Sequence, residues 1–481
     1  MTHVAIDIGA SSGRLILSHI KEGLLEMEEV HRFANGFSQK EGLECWDVDH
    51  LLTEILKGLE TIKLQGFQKI TAGIDTWAVD YALLDQNGQR LREVASYRDK
   101  RTANTLDKIS AQYSLKTIYQ KTGIQFMKIN TLLQLFEESK TLLDQTASVM
   151  LVPDYLGYRL TGRAVTEVTN ASTMQMLNVN HGGVDEDLLN LTGARQEQFA
   201  DLVQPGTELG ELKKEYFPDY DLPDCKFYNV GSHDTASAIA GTPGEGDDWC
   251  YISSGTWSLL GVEVKQPIIT EEAYLQNYTN EWGVFGTYRF LKNIMGMWVM
   301  QEVRRHLPED YNFHQFVAAA ESVEPYQQFV NINDDRFLNP DNMISELQEY
   351  CRETGQAIPV STGEIARCVF NSLAASYAIG IRNLERMTDK KLNRLHIVGG
   401  GSHNDLLNQM TADLSRLTVY AGPSEATALG NLVVQLIASG KIADLNEGRN
   451  MIKRSYPAKT FYPKEMNEEL YIDQFISISK N

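Results

Sequence analysis

The chain has 481 residues, long for a single hydrophobic core, so two domains are expected. With 42% hydrophobic and 22% charged residues it has the composition of a globular protein, and no apolar run reaches the ~18 residues of a membrane span. A formal net charge of −20 without any basic cluster argues against nucleic acid as a partner, because such a surface repels a polyanion.

The opening residues, MTHVAIDIG, read as a strand at once, with no basic segment ahead of an apolar stretch, so no signal peptide is expected. Residues 3–20 give strand, small-residue turn, strand. Asp7 lies inside the first of these strands, where an ionised carboxylate without a partner costs ~3–5 kcal/mol. Either nearby N–H groups satisfy it, or it faces a ligand site and holds a hydrated Mg²⁺ beside phosphates. The turn GASSGR supplies Gly9, Ala10, Ser11, Ser12 and Gly13, whose small size lets backbone N–H groups approach phosphate oxygens, and Arg14 adds donors. Its spacing is not that of a Walker A loop, and an ordinary hairpin turn has the same composition.

DHLLTEILKGLETIKLQG repeats apolar residues at helical spacing, with Asp49 as its expected cap. ITAGIDTWAVDYALLD gives two strands broken near Asp75–Ala78, and its DTWAVD portion is suited to recognising sugar hydroxyls. Residues 103–145 are mostly helical in pattern, and VPDYLGYRLTG is a short helix opened by Pro153 and stopped by Gly162. In SHDTAS, Asp234 stands between His233 and Thr235 ahead of helix-forming residues. It either caps that helix or serves as a general base, flanked by two groups that can hydrogen-bond a polyol.

Residues 241–248, GTPGEGDD, form the strongest break in the chain and mark the expected domain boundary. WCYISSGTWSLLGVEV then repeats the opening strand–turn–strand pattern, with Thr256 placed to reach a terminal phosphate. Residues 361–387 read as a long amphipathic helix with Ser361 and Glu364 at capping-box spacing. The strand RLHIVGGG ends in three glycines, which let the chain pass close to a flat ligand such as adenosine. A helix, a strand and a further helix follow. The five cysteines form no metal-binding pattern and read as reduced thiols of a cytoplasmic protein; whether Cys351 and Cys368 meet is open.

Two halves that open alike suggest a duplicated α/β domain. The segments VAIDIGASSGR, GIDTWAVDYALLD, VPDYLGYRLTG, SHDTASA, YISSGTWSL, LKNIMGMW, NDDRFLNP and LHIVGGG, in this order over residues 3–440, resemble the FGGY carbohydrate kinases. The resemblance implies an α/β fold of two actin/ribonuclease-H-like domains with an interdomain catalytic cleft, residues 1–242 binding sugar and residues 243–481 binding nucleotide. It implies transfer from ATP, with Mg²⁺, to O1 of L-rhamnulose. Asp234 matches the family's catalytic base; Ala10, Ser11, Ser12, Gly13 and Arg14 match its phosphate loop. Thr256, Asn293, Gln301 and Gly400 match further nucleotide contacts, and Ala78, His233, Asp234 and Thr235 match sugar contacts. Ala78 stands where relatives often carry glycine.

Three rivals follow from the same residues. A sister kinase for L-fuculose or L-xylulose differs by a few hydrogen bonds. An actin- or chaperone-like ATPase would not need the SHD and DTWAVD segments. A sugar-sensing regulator wants a basic helix-turn-helix extension, for which the early first strand leaves no room. A monomer or small homo-oligomer, without membrane partners, is expected.

Overall fold

The computed structural model describes residues 2–307 and 311–479. The chain divides into two compact units. The first comprises Met1–Pro243, Glu263–Phe290 and Ala426–Ser455, and the second Gly244–Val262, Leu291–Glu425 and Tyr456–Asn481.

The first unit is built on a six-stranded mixed sheet in the order Glu208–Glu211, Asp224–Tyr228, Lys69–Thr76, Thr2–Ile8, Ser12–Lys21, Leu24–Ala34. Thr2–Ile8 pairs antiparallel with Ser12–Lys21 and parallel with Lys69–Thr76. One face of this sheet buries Val4, Ile6, Ile8, Leu15 and Phe227 against Leu51, Ile55, Leu59 and Ile62 of the helix Val48–Leu64. That helix is capped by Asp47, whose side chain accepts from His50 N at 3.0 Å, and not by Asp49. Asp49 lies in the first turn and receives both terminal nitrogens of Arg90, at 2.8 and 2.5 Å. The other face of the sheet receives the helix Ala426–Ala438, which places Ala428 and Leu432 on Ala5 and Ile16.

The second unit repeats the plan. Trp249–Ser254 pairs antiparallel with Trp257–Val264 and parallel with Arg394–Val398. Thr418–Ala421 and Lys459–Phe461 continue the sheet beyond Arg394–Val398. The expected long helix runs Thr362–Thr388, with the capping box formed: Glu364 N donates to Ser361 Oγ at 3.2 Å and Ser361 N to Glu364 Oε2 at 2.8 Å. Cys351 and Cys368 are thiols in hydrogen-bonding contact, and that bond together with burial pushes Cys368 well up. Among the described residues, no helix is long and apolar enough to cross a membrane.

Candidate active site

Residues paired across a sheet share a face, so the register of the first sheet decides what surrounds Asp7. Its partners are Arg14 on one side and Asp75 on the other. Arg14 Nη2 donates to Asp7 Oδ2 at 2.6 Å, which gives the buried carboxylate its counter-charge. Asp75 is fully buried. Its Oδ2 accepts from Asn431 Nδ2 at 2.6 Å, while its Oδ1 meets no donor. Burial first, then the neighbouring Asp7 carboxylate, push the Asp75 carboxyl well above the usual range; Asn431 opposes the shift and Asp234 adds to it. Asp7, Asp75 and Asp234 thus form one electrostatic group, two members of which come from adjacent parallel strands.

The turn after Asp7 is closed by Gly9 N donating to Ser12 O at 2.9 Å, and Asn35 ties it down through bonds to Ser11 O and Gly9 O. Ser11 is exposed and Ala10 and Ser12 are half-buried. Gly13 has a packing reason of its own, since a Cβ there would run into the Phe33 ring.

The segment Ser232–Thr235 reaches this group through the end of the strand Lys69–Thr76. Thr76 N donates to Ser232 O at 2.9 Å, and Thr76 and His233 form a parallel bridge. Asp234 is the first residue of the helix Asp234–Ala240, whose N-cap is His233, without a side-chain cap bond. The carboxylate therefore does not cap the helix. It is half-buried, its Oδ1 accepts from Thr235 Oγ1 at 3.1 Å, and His233 Nε2 lies 3.4 Å from the same oxygen. Glu167, fully buried, anchors the segment from behind: its carboxylate accepts from Ser232 N at 3.1 Å and Ser232 Oγ at 2.6 Å. The sequence alone does not mark Glu167, which stands 65 positions before Ser232.

Within DTWAVD, the Asp80 carboxylate is engaged by the protein itself. Asp80 is buried and accepts from Trp46 Nε1, Trp77 Nε1, Tyr97 N and Gln134 Nε2 at 2.6, 3.0, 3.1 and 2.9 Å. With four donors it is saturated, and it fixes the Trp46 and Trp77 rings 4.3 Å apart. Burial raises its carboxyl to about 6, against the pull of those donors. Ala78 stays half-buried. It is followed by Val79 at φ 69°, a left-handed conformation that costs a β-branched residue ~1–3 kcal/mol and is typical of functional turns.

In the second unit, Thr256 is exposed at the hairpin turn, where its carbonyl accepts from Trp298 N at 3.2 Å. Asn293 is half-buried on the strand Tyr288–Met295, and Gln301 is exposed on the helix Trp298–His306. The three glycines separate into two roles. Gly399 has φ 83°, and a Cβ there would come within 2.8 Å of Ser254 O, while a Cβ on Gly401 would overlap the Ser254 side chain. Both are needed to seat the turn on the strand Trp249–Ser254. A Cβ on Gly400 would meet nothing within 4 Å, so packing does not require this exposed glycine.

Among the described residues, no three His, Cys, Asp or Glu side chains stand close enough to ligate one ion directly. The fit for Mg²⁺ is nevertheless good. The orphaned Asp75 Oδ1 and the mutual repulsion of Asp7, Asp75 and Asp234 call for a cation, and Mg²⁺ characteristically keeps several waters and uses only one or two carboxylates.

Residues 2–241 match the N-terminal domain of the FGGY family of carbohydrate kinases, and residues 250–439 match its C-terminal domain. The chain is 55% identical over 475 residues to a rhamnulokinase of Bacillus subtilis (strain 168), covering 99% of this chain and 98% of that one. It is 51% identical to a rhamnulokinase of Lactiplantibacillus plantarum, covering 96% and 95%. Its fold is similar to that of a gluconate kinase from Lactobacillus acidophilus, with TM-score 0.82 at 18% identity, covering 99% and 96%. A xylulose kinase from the same organism gives TM-score 0.80 at 19% identity, covering 99% and 96%. The chain belongs to the FGGY family of carbohydrate kinases.

Proposed function

We propose that this kinase transfers the terminal phosphoryl group of ATP to O1 of L-rhamnulose, giving L-rhamnulose 1-phosphate and ADP. The observation that carries the choice of sugar is the 55% identity, over nearly the full length of both chains, to a rhamnulokinase. The chemistry is supported by Asp234, a half-buried carboxylate that is not spent on capping its helix.

In phosphoryl transfer the protein's share is positioning and charge stabilisation. Asp234 takes the proton of the attacking hydroxyl, while Thr235 and the backbone at Ala78 hold the sugar and the His233 ring lines the same site. Residues 1–242, with the segments Glu263–Phe290 and Ala426–Ser455 that belong to the same unit, bind sugar, and the rest of residues 243–481 binds nucleotide. Ala10, Ser11, Ser12, Gly13 and Arg14 receive phosphate oxygens, and Thr256, Asn293, Gln301 and Gly400 contact the rest of the nucleotide. Asp7, with Asp75 beside it, would hold a hydrated Mg²⁺ ion. When bound, that ion neutralises charge on the phosphate oxygens. Arg14 keeps Asp7 oriented until then. The five buried thiols suit a cytoplasmic enzyme.

The test is an ADP-release assay across purified ketoses. L-Rhamnulose is expected to give the highest kcat/KM; equal turnover of L-fuculose would defeat the specific assignment, and ATP turnover indifferent to any sugar would defeat kinase action on ketoses.

A further inference from the structure

Behind His233 lies a buried ion pair. Arg289, 1% exposed, places Nη2 3.0 Å from Glu281 Oε2 and 3.1 Å from His233 Nδ1. Trp282 O accepts from its Nε and Nη2 at 3.4 Å, which holds the guanidinium in place. Burial alone would raise the Glu281 carboxyl, but the Arg289 charge, its strongest opposing influence, keeps it low, so Glu281 is ionised beside Arg289, with Oε2 3.4 Å from His233 Nδ1. On the far side of the imidazole, Nε2 faces Asp234 Oδ1 at 3.4 Å.

We infer that Arg289, braced by Glu281, is a positioning residue that fixes His233 in the tautomer whose Nε2–H faces Asp234. Arg289 Nη2 stands nearer to His233 Nδ1, at 3.1 Å, than Glu281 Oε2 does, at 3.4 Å, and a guanidinium carries only donors and keeps its proton in proteins, so that nitrogen accepts. A neutral imidazole has one hydrogen, and that hydrogen is then on Nε2. The opposite neutral tautomer would set two donors against each other at 3.1 Å and turn a lone pair towards the Asp234 carboxylate.

The consequence concerns the base. Thr235 Oγ1 and His233 Nε2–H both address Oδ1 of Asp234, so the sugar hydroxyl proton goes to Oδ2. His233 then orients the carboxylate instead of competing with it for that proton. The inference rests on the reading of Asp234 as the base, but the tautomer is measurable without any turnover.

The experiment uses the full chain labelled with ¹⁵N-histidine, the His233 resonances being identified by their loss in H233Q. Wild type is expected to show an unprotonated Nδ1 and a protonated Nε2. In the double variant R289M/E281Q both charges leave together, so no lone buried ion remains. There the two tautomers are expected to mix, with kcat for the sugar reduced about tenfold to a hundredfold by misorientation and KM for ATP within about twofold. A hydrogen on Nδ1 in wild type overturns the inference, and that spectrum decides even where the double variant does not fold. So does a variant spectrum identical to wild type, or mixed tautomers with unchanged kcat. Wild type that shows the Nε2–H form yet phosphorylates no ketose would remove the proposed function and leave the tautomer standing.

Discussion

Replacing Gly430 by alanine tests whether the placement of Asp234 depends on how its helix is seated. The helix Asp234–Ala240 ends at Gly241, where it crosses Ala426–Ala438 at Gly430. A Cβ on Gly430 would overlap the Ser237 carbonyl oxygen and come within 2.7 Å of both Ser237 C and Gly241 N. Ordinary contact begins at 3.4 Å, so in a close-packed crossing the two helices must part by at least about 0.7 Å, and further at the oxygen. Overpacking of this kind costs about 1–3 kcal/mol. The same displacement passes along a helix of seven residues to Asp234 at its start, and a misplacement of about 1 Å costs on the order of 10²-fold in rate. G430A is therefore expected to melt at lower temperature than wild type and to lose kcat by about tenfold to a hundredfold, with KM for ATP nearly unchanged. G241A, whose Cβ would meet Ala426 O, is expected to behave alike. Steady-state kinetics and thermal denaturation of the two variants decide the matter. Wild-type melting together with kcat within twofold of wild type would refute the reasoning.

Further outcomes follow from the same group of residues. D234N is expected to retain ATP affinity by calorimetry while kcat falls by about 10² or more, and near-normal turnover would take Asp234 out of its role. D7N is expected to raise the Mg²⁺ concentration needed for half-maximal activity; an unchanged titration would leave Asp7 a structural partner of Arg14 only. Asp80 has a folded-state carboxyl raised to about 6 against about 3.9 in an unfolded chain. Between these values the native protein holds a proton that the unfolded chain has lost, so stability from this group falls as pH rises, by about 3 kcal/mol at most. D80N has no carboxyl there to titrate. Urea midpoints of D80N relative to wild type should shift in favour of the variant from pH 4.5 to 6.5, and a constant difference would contradict it.

What the sequence made legible was local. The two hairpins, the helix Val152–Thr161 between Pro153 and Gly162, and the capping box at Ser361 depend on neighbours a few positions away. The pairing of Asp7 with Asp75 was not legible, because it depends on which strands become adjacent and in which register, although both sit at the same place in similar apolar strands. The role of Asp80 was hidden for the same reason: two of its four donors, from Trp46 and Gln134, lie more than thirty positions away. Asp49 was misread by two positions because Asp47 and Asp49 are both good caps, and only the direction of Arg90 separates them. The glycine turn was legible as an unusual feature, but the packing of Gly399 and Gly401 on Ser254 needed the parallel strand pair.

The single carboxylate oxygen shared by Trp46 and Trp77 gives the molecule a built-in optical reporter. Two indoles 4.3 Å apart and inclined by 40° couple their near-ultraviolet transitions, and the sign and size of the resulting circular dichroism depend on that angle. Trp77 directly precedes Ala78, so any ligand that shifts this turn changes the angle between the two indoles. Its binding is then readable by titration in unlabelled protein, apart from any ATP consumed.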